Sequence, residues 1–317
     1  MRLSWFAAGL FTVGVLCTGS VSGQPYPNKP IRIITSEPGG SGDIASRLLV
    51  PGLAATLGQP VIVDNRSSVI IAGETVAKAP PDGYTLITYG GTLWLGPFLR
   101  KSPYDPARDF AAITLVGSSP CIVVVTPSLA VHSIKDLIAL AKAKPGALNY
   151  GSGNTGAITH LAAELFKSMA GVDIVRIPYK GAGPALNDLM AGQVQLMIAT
   201  GSSASPHVRS GRLRALAVTG AEPSTLFPGL PTVATTGVPG YEAVAYTGIL
   251  TTAGTPASVI TRLNREMVSI LKQAQVREKL FNLGMEAVGS SPEQLAATVK
   301  SEMARMGKVI KDAGIGE

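Results

Sequence analysis

Short β-branched segments alternate with longer helical segments in the first hundred residues, and this alternation constrains the fold more than any other feature. Predicted strands at Ile31–Thr35, Val61–Val63 and Tyr84–Thr88 are separated by predicted helices near Asp43–Leu57 and Glu74–Lys78. Strands and helices that alternate in this way are typical of a parallel sheet covered by helices. The pattern therefore predicts an α/β fold.

The same order returns in the middle of the chain, and it predicts a second lobe of the same kind. The predicted segments are strands at Ala112–Val116 and Ile122–Val125, a helix at Ile134–Ala143, a strand at Asn149-Tyr150, a helix at Gly156–Ala170, a strand at Ile174–Pro178, a helix at Pro184–Ala191, and strands at Val194–Ile198 and Leu213–Val218.

Three predicted helices close the chain after a strand at Val244–Leu250. They lie near Ser258–Lys272, Gln275–Leu283 and Pro292–Ala313. Because these helices have no strands of their own, we expect them to pack back on the first lobe. The chain would then cross between the lobes twice, near Ser118–Thr126 and Gly237–Thr247, and the two crossings would form a hinge.

The first residues have the pattern of a secretory signal peptide. Arg2 supplies a positive charge, Trp5–Cys17 is apolar, and the small residues Val21-Ser22-Gly23 precede Gln24. The apolar run is shorter than the roughly 20 residues that a membrane-spanning helix needs. We therefore expect residues 1–23 to be cleaved and the mature protein to be exported.

About 290 residues remain after cleavage, more than one hydrophobic core usually serves. We place lobe 1 at residues 24–122 and 246–317 and lobe 2 at residues 123–245. Cleavage also removes Cys17 and leaves Cys121 alone, so we expect a buried, inert thiol and no intramolecular disulfide.

The net charge of +7 comes from scattered basic residues, and aromatic residues make up only 5% of the chain. A nucleic-acid surface is typically a clustered basic stripe with stacking aromatic rings. We therefore expect no nucleic-acid partner. A mildly positive protein attracts anionic ligands, although general solubility explains the charge equally well.

Four loops rich in small residues follow predicted strands. Three of them, Ser36–Asp43, Gly151–Gly156 and Tyr179–Gly183, also precede predicted helices, and the fourth is Tyr89–Thr92. The first N–H groups of a helix have no partner within the helix, and the helix dipole adds partial positive charge there. Such helix starts attract anions. Each loop alone could be an ordinary connection, but four of them in two lobes predict a cleft that binds an anion.

Three loop-adjacent side chains have two interpretations each. Asp43 either stabilises the start of its helix or meets an amine of the ligand. Lys180 either adds charge to the site or is a solvated lysine. His160 either lines the cleft or makes a contact within its own helix, and we favour the second.

Catalytic and cofactor motifs are lacking. His132, His160 and His207 show no metal-ligand spacing, and there is no Gly-x-Ser-x-Gly motif. The segment Gly151–Gly156 matches Gly-x-Gly-x-x-Gly, but Asp173 precedes the next strand instead of ending it, which argues against a dinucleotide site. We expect no enzyme activity, no cofactor and no metal.

The order of motifs over nearly the whole mature chain resembles the Bug-type extracytoplasmic receptors of tripartite tricarboxylate transporters. The matching segments include YPNKPIRIITSEPGGSGDIASRLL, LGQPVIVDNR, VAKAPPDGYTL, AKPGALNYGSGNTGAITHLAAELF and IPYKGAGPALNDLMAGQVQLM. The resemblance implies two α/β lobes of the type II periplasmic-binding-protein fold. It also implies a monomeric periplasmic protein that closes around a small carboxylate held by backbone N–H groups and delivers it to integral-membrane transporter subunits.

Carried over position by position, the resemblance implies thirteen ligand-binding residues. They are Pro38, Gly39, Gly40, Ser41, Asp43, Gly90, Thr92, Ser152, Asn154, Thr155, Tyr179, Lys180 and Gly181. The chain departs from the family pattern at Glu37 and at Ser67–Ala72, so the identity of the carboxylate is open. A ligand sensor that feeds an extracytoplasmic signalling partner is the alternative function.

Overall fold

A computed structural model of the chain describes residues 26–35, 38, 41–66 and 68–315. The predicted signal peptide at residues 1–23 lies outside these residues. The described part has a mixed α/β fold with two lobes, and no helix in it has both the length and the apolar character needed to cross a membrane.

The first lobe begins with three parallel strands, of which the first lies in the middle. They are β1 (Ile31–Thr35), β2 (Val61–Asn65) and β3 (Thr85–Tyr89). The connections run through α1 (Ser41–Leu57) and α2 (Val69–Ala77), and the short helices α3 (Gly91–Trp94) and α4 (Gly96–Leu99) follow β3. Ile33 and Ile34 are both fully buried, because helices cover both faces of the sheet.

A single long strand, β4 (Phe110–Val125), connects the lobes. The sequence predicts two separate strands here, at Ala112–Val116 and Ile122–Val125, and this prediction is wrong. The intervening residues Gly117 to Pro120 lack β-branched side chains, but they stay paired with the neighbouring strand β9 (Val244–Thr252). Pairing with β9 therefore keeps this segment extended, although its own side chains have little preference for the β conformation.

The second lobe repeats the arrangement of the first. Its parallel strands are β5 (Asn149–Ser152), β6 (Val175–Pro178) and β7 (Leu196–Thr200), with β5 in the middle. Its other elements are α5 (Ile134–Ala143), α6 (Ile158–Ala170), α7 (Ala182–Met190), α8 (Gly201–Arg209), β8 (Arg214–Val218) and α9 (Val233–Thr236).

The sheets are not parallel throughout. Antiparallel pairs join β9 to β3 and to β4, and the last part of β4 runs antiparallel to β7 and β8. The predicted parallel arrangement therefore holds only for β1 to β3 and for β5 to β7. The antiparallel pairs arise because β4 and the segment before β9 carry the chain from one lobe to the other.

The C-terminal helices pack back on the first lobe, as predicted. They are α10 (Ala257–Leu271), α11 (Ala274–Asn282) and α12 (Pro292–Asp312), with the short strand β10 (Glu286–Ala287) between the last two. α10 packs so closely on α1 that a Cβ atom at Gly52 would lie 2.7 Å from Ile270 Cγ1. α12 packs on β4 and also contacts α6, so it bridges the two lobes.

Several helices begin earlier than the sequence predicts. α2 begins at Val69, and the Ser68 side chain accepts a hydrogen bond from the Ile71 N–H at 3.4 Å. Ser41, Thr92 and Gly183 likewise lie inside helices and not in loops. Small residues can form the first turn of a helix when the preceding strand is held in a sheet. The loops that contain these residues are therefore shorter than the sequence predicts.

Candidate functional site

The carboxyl ends of the parallel strands of both lobes come together around the centre of β4. Tyr89 ends β3 and pairs with Gly248, which in turn pairs with Leu115 of β4. Thr200 ends β7 and pairs with Cys121, further along β4. Ligands of open α/β sheets bind outside the carboxyl ends of strands. The loops that follow these ends therefore line one candidate cleft between the lobes.

The loop after β5 is held by the helix that follows it. The Gly153 N–H donates to Thr159 Oγ1 at 3.0 Å, and the Gly156 N–H donates to His160 Nδ1 at 3.2 Å. Two of the amides that the sequence suggests for a ligand are thus used within the loop. The predicted site residue Ser152 is fully buried at the end of β5.

The predicted site residues Asn154 and Thr155 lie at the exposed tip of this loop. Within the described part of the chain, their N–H groups donate to no other residue. They precede α6, whose dipole adds partial positive charge at this end. These two amides are therefore available to an anion.

Arg176 in β6 is a residue of this site that the sequence reasoning missed. Its guanidinium donates from Nε to Ser152 Oγ at 2.8 Å, from Nη1 to Thr155 Oγ1 at 3.3 Å and from Nη2 to the Gly153 carbonyl oxygen at 3.2 Å. The available signal was a single charged residue in the otherwise uncharged strand segment Ile174–Pro178. That signal alone does not show that the side chain reaches the loop.

His160 accepts a hydrogen bond, so its Nδ1 must carry no proton. Burial, together with the positive charge of the nearby Arg176 guanidinium, lowers the pKa of His160 to about 4. The ring is therefore neutral near pH 7. The interpretation of His160 as a contact within its own loop and helix agrees with this geometry.

The loop after β6 carries three more predicted site residues. The Tyr179 N–H donates to the Ser152 carbonyl oxygen at 2.9 Å, and the Tyr179 hydroxyl donates to Asp188 Oδ2 at 2.8 Å. Lys180 is exposed, and Gly181 precedes α7. The backbone of this loop is therefore tied to the loop after β5, and the two form one surface.

In the first lobe, Asp43 is buried near the start of α1. Its Oδ1 accepts hydrogen bonds from Arg47 Nε and from Asn65 Nδ2, each at 2.8 Å, and Arg47 also donates to Asn65. These contacts tie the start of α1 to the end of β2. Pro38 and Ser41 are exposed.

Glu37, Gly39, Gly40 and Ser67 lie outside the described residues. The proposed roles of Gly39 and Gly40 in ligand binding therefore stay predictions, as does the influence of Glu37 on ligand choice.

The loop after β3 lies against β9. A Cβ atom at Gly90 would lie 2.4 Å from the backbone carbonyl oxygen of Tyr246 in β9. Only glycine permits this approach. Thr92 is exposed just beyond it.

The lobes also touch beside the loop after β5. Gly156 has a φ of +79°, and an added Cβ atom would lie 2.3 Å from Leu99 Cδ1 of α4. Both the backbone conformation and the close contact favour glycine. A residue of the first lobe therefore packs directly on a loop of the second.

A cluster of charged residues lies where α12 meets the segment before β9. Arg305 donates from Nη1 to Glu242 at 2.6 Å and also pairs with Glu302, while the Tyr246 hydroxyl donates to Glu242 at 3.1 Å. Burial raises the pKa of the Glu302 carboxyl. The cluster connects the C-terminal helix to the second crossing.

A model of the tripartite tricarboxylate transporter family receptor matches residues 45–315. The chain belongs to this family. The resemblance seen in the sequence is thereby confirmed. The receptor is 36% identical to BugT of Bordetella pertussis over 312 residues, which cover 96% of each chain.

Solved structures show the same fold. The receptor is similar to an R. palustris protein solved with adipate, with 37% identity, a TM-score of 0.76, and coverage of 92% of this chain and 99% of that one. It is also similar to MatC from Rhodopseudomonas palustris with bound malate, with 28% identity, a TM-score of 0.74, and coverage of 90% and 100%. These likenesses confirm the two-lobed α/β fold of a periplasmic binding protein.

The individual site residues and the lobe limits at residues 122–123 and 245–246 stay predictions. The loops of Gly90, Ser152 and Tyr179 follow the strand ends that lie near the centre of β4, whereas Asp43 is held by Arg47 and Asn65.

Proposed function

We propose that the protein captures a small carboxylated compound between its two lobes in the periplasm and delivers it to integral-membrane subunits of a tripartite tricarboxylate-type transporter. The observation that carries this proposal is the convergence of strand ends from both lobes on the centre of β4. It supports a ligand site between the lobes. The adipate and malate in two related proteins support a carboxylate as the ligand.

The exposed amides of Asn154 and Thr155 are suited to a carboxylate group. A hydrogen bond to a charged group contributes about 1.5–3 kcal/mol, compared with about 1 kcal/mol for a neutral pair. Arg176, Thr159 and His160 hold this loop before any ligand arrives. A loop that is already ordered loses less entropy on binding, which favours affinity.

Closure of the lobes would distinguish the loaded receptor from the empty one. The two crossings, in β4 and before β9, provide the hinge. The contact between Leu99 and Gly156 joins the lobes beside the proposed ligand site. A ligand that contacts both lobes would favour this closed arrangement, and the membrane subunits would recognise it.

Thermal unfolding of the mature protein with a panel of mono-, di- and tricarboxylates tests the binding proposal. A ligand at one hundred times its dissociation constant should add about 2.7 kcal/mol to the free energy of unfolding. Glucose and putrescine, which carry no carboxylate, serve as controls. Stabilisation by glucose or putrescine, with no response to any acid, would contradict the proposal.

Uptake by cells that lack this receptor tests delivery. We expect uptake of the stabilising acid to be lost and to return with the wild-type receptor. Normal uptake combined with loss of a transcriptional response to the acid would favour the sensor function over transport.

A further inference from the structure

Arg176 carries a positive charge that no carboxylate in the described part of the chain balances through a salt bridge. Its three hydrogen bonds go to two hydroxyl oxygens and one carbonyl oxygen, all in the segment Ser152–Thr155. A guanidinium has five N–H donors, so two are left over. Charged groups in a protein interior are usually paired, so an unpaired and partly buried arginine beside a binding cleft points to an anionic ligand.

The surroundings of Arg176 leave its charge uncompensated. Glu164 accepts hydrogen bonds from the Tyr150 hydroxyl and from Lys167 Nζ, so its charge is balanced by Lys167. His160 is neutral near pH 7. The start of α6 adds further positive potential on the same side. Neither Glu164 nor His160 therefore offsets the charge of Arg176.

The corresponding place in the first lobe is different. There the buried carboxylate of Asp43 pairs with Arg47 at 2.8 Å, and the pair adds no net charge. Arg66, beyond the end of β2, also has a carboxylate partner, Asp64. Arg176 in the second lobe has none among the described residues.

We propose that Arg176 is the residue of the second lobe that selects the ligand by its charge. It holds the loop amides in place, and it favours an acid with two carboxylates over its singly charged analogue. This inference rests on the proposed function of the cleft. The loop amides bind one carboxylate, and the remaining charge of Arg176 acts on the second. Arg176 is thus both a positioning residue and a determinant of specificity.

Titration calorimetry with matched ligand pairs tests the inference. The ligands are adipate and its monomethyl ester, and malate and its monomethyl esters, which keep the carbon chain and remove one charge. We expect the wild-type protein to bind the better of the two diacids at least about tenfold more tightly than its ester. In Arg176→Gln the ratio should fall to about threefold or less.

The conservative variant separates the two roles of the residue. Arg176→Lys keeps the charge but loses the fork of three hydrogen bonds, so it should weaken both members of a pair while keeping their ratio. Lys135→Gln, which removes an exposed charge from α5 of the same lobe, should leave affinity and ratio unchanged.

Several results would overturn the inference. They are an unchanged ratio in Arg176→Gln, a ratio near one in the wild-type protein, and a stronger affinity for a monocarboxylic acid. If Arg176→Gln does not unfold cooperatively, Arg176→Met takes its place, and a ratio kept by Arg176→Met has the same meaning. If the wild-type protein binds no acid, the proposed function itself is wrong. If the ratio of diacid to ester affinity is unchanged in Arg176→Gln, only the proposed role of Arg176 is wrong.

Discussion

The helices α1 and α6 follow the middle parallel strands of the two lobes, but the charged groups near their starts differ. In the first lobe, Asp43 is buried and paired with Arg47 and Asn65. In the second, Arg176 holds the loop through neutral oxygens and keeps its charge. Of Asp43 and Arg176, only Arg176 lacks a partner of opposite charge among the described residues, so the proposed attraction for an anion rests on Arg176.

The largest effect is expected when the free energy of unfolding is measured as a function of pH, because this tests how the second-lobe loop is held. Burial lowers the pKa of His160 to about 4 from an ordinary value of 6.5, so the folded protein resists protonation that the unfolded chain accepts. The stabilisation is complete above pH 6.5 and is lost as the pH falls towards 4, at about 1.4 kcal/mol per unit. We expect a loss of about 3 kcal/mol in total from this residue, measured by urea unfolding at a series of pH values.

His160→Gln is the control for this titration, because glutamine can still accept the Gly156 N–H bond but does not titrate. Carboxylates also titrate in this range, so the quantity to compare is the difference between the wild-type and variant curves. Parallel curves would mean that the second-lobe loop is not held by a neutral histidine.

A larger residue at Gly153 should disrupt the loop after β5 in the second lobe and so weaken ligand binding. A Cβ atom at Gly153 would lie 3.3 Å from Thr159 Oγ1, which already accepts the Gly153 N–H. The branched side chain in Gly153→Val should displace the loop and lower affinity for the acid at least a hundredfold, or about 2.7 kcal/mol. Calorimetry measures the affinity, and circular dichroism checks that the fold is intact.

Gly183→Ala is the matched control for Gly153→Val, because a Cβ atom at Gly183 meets nothing within 4 Å. Its affinity should be that of the wild-type protein. Wild-type affinity in Gly153→Val would instead remove this loop from the ligand site.

Asp43→Asn should have the smallest effect on stability and affinity, and it tests whether Asp43 of the first lobe contacts the ligand. The change keeps the size of the side chain but removes the charge that Arg47 and Asn65 contact. We expect the free energy of unfolding to fall by about 1–2 kcal/mol, and affinity to change less than tenfold. A larger loss of affinity at unchanged stability would show that Asp43 contacts the ligand directly.

Much of the fold could be predicted because local patterns and burial agree. The predicted strands at Ile31–Thr35 and Leu213–Val218 correspond to β1 and β8, and the terminal helices pack back on the first lobe. The continuity of β4 through Gly117 to Pro120 could not be predicted, because it depends on pairing with β9, more than a hundred residues away along the chain.

The candidate site divides in the same way. The sequence located the loops that contain Gly90, Ser152 and Tyr179, since small residues between a strand and a helix mark such places. It did not show that the amides of Gly153 and Gly156 are already used, because their acceptors are side chains whose direction depends on how α6 begins.

The sequence by itself determined the alternation of strands and helices, the family and the small-residue loops proposed to line the cleft. The alternation and the loops follow from side-chain periodicity, β-branching and glycine content, which act over a few residues, and the family follows from the order of the motifs. The tertiary structure decided which loop amides are already bonded, which described ones are not, and that Arg176 reaches its loop. Those properties depend on distances between segments that only the packed sheets bring together.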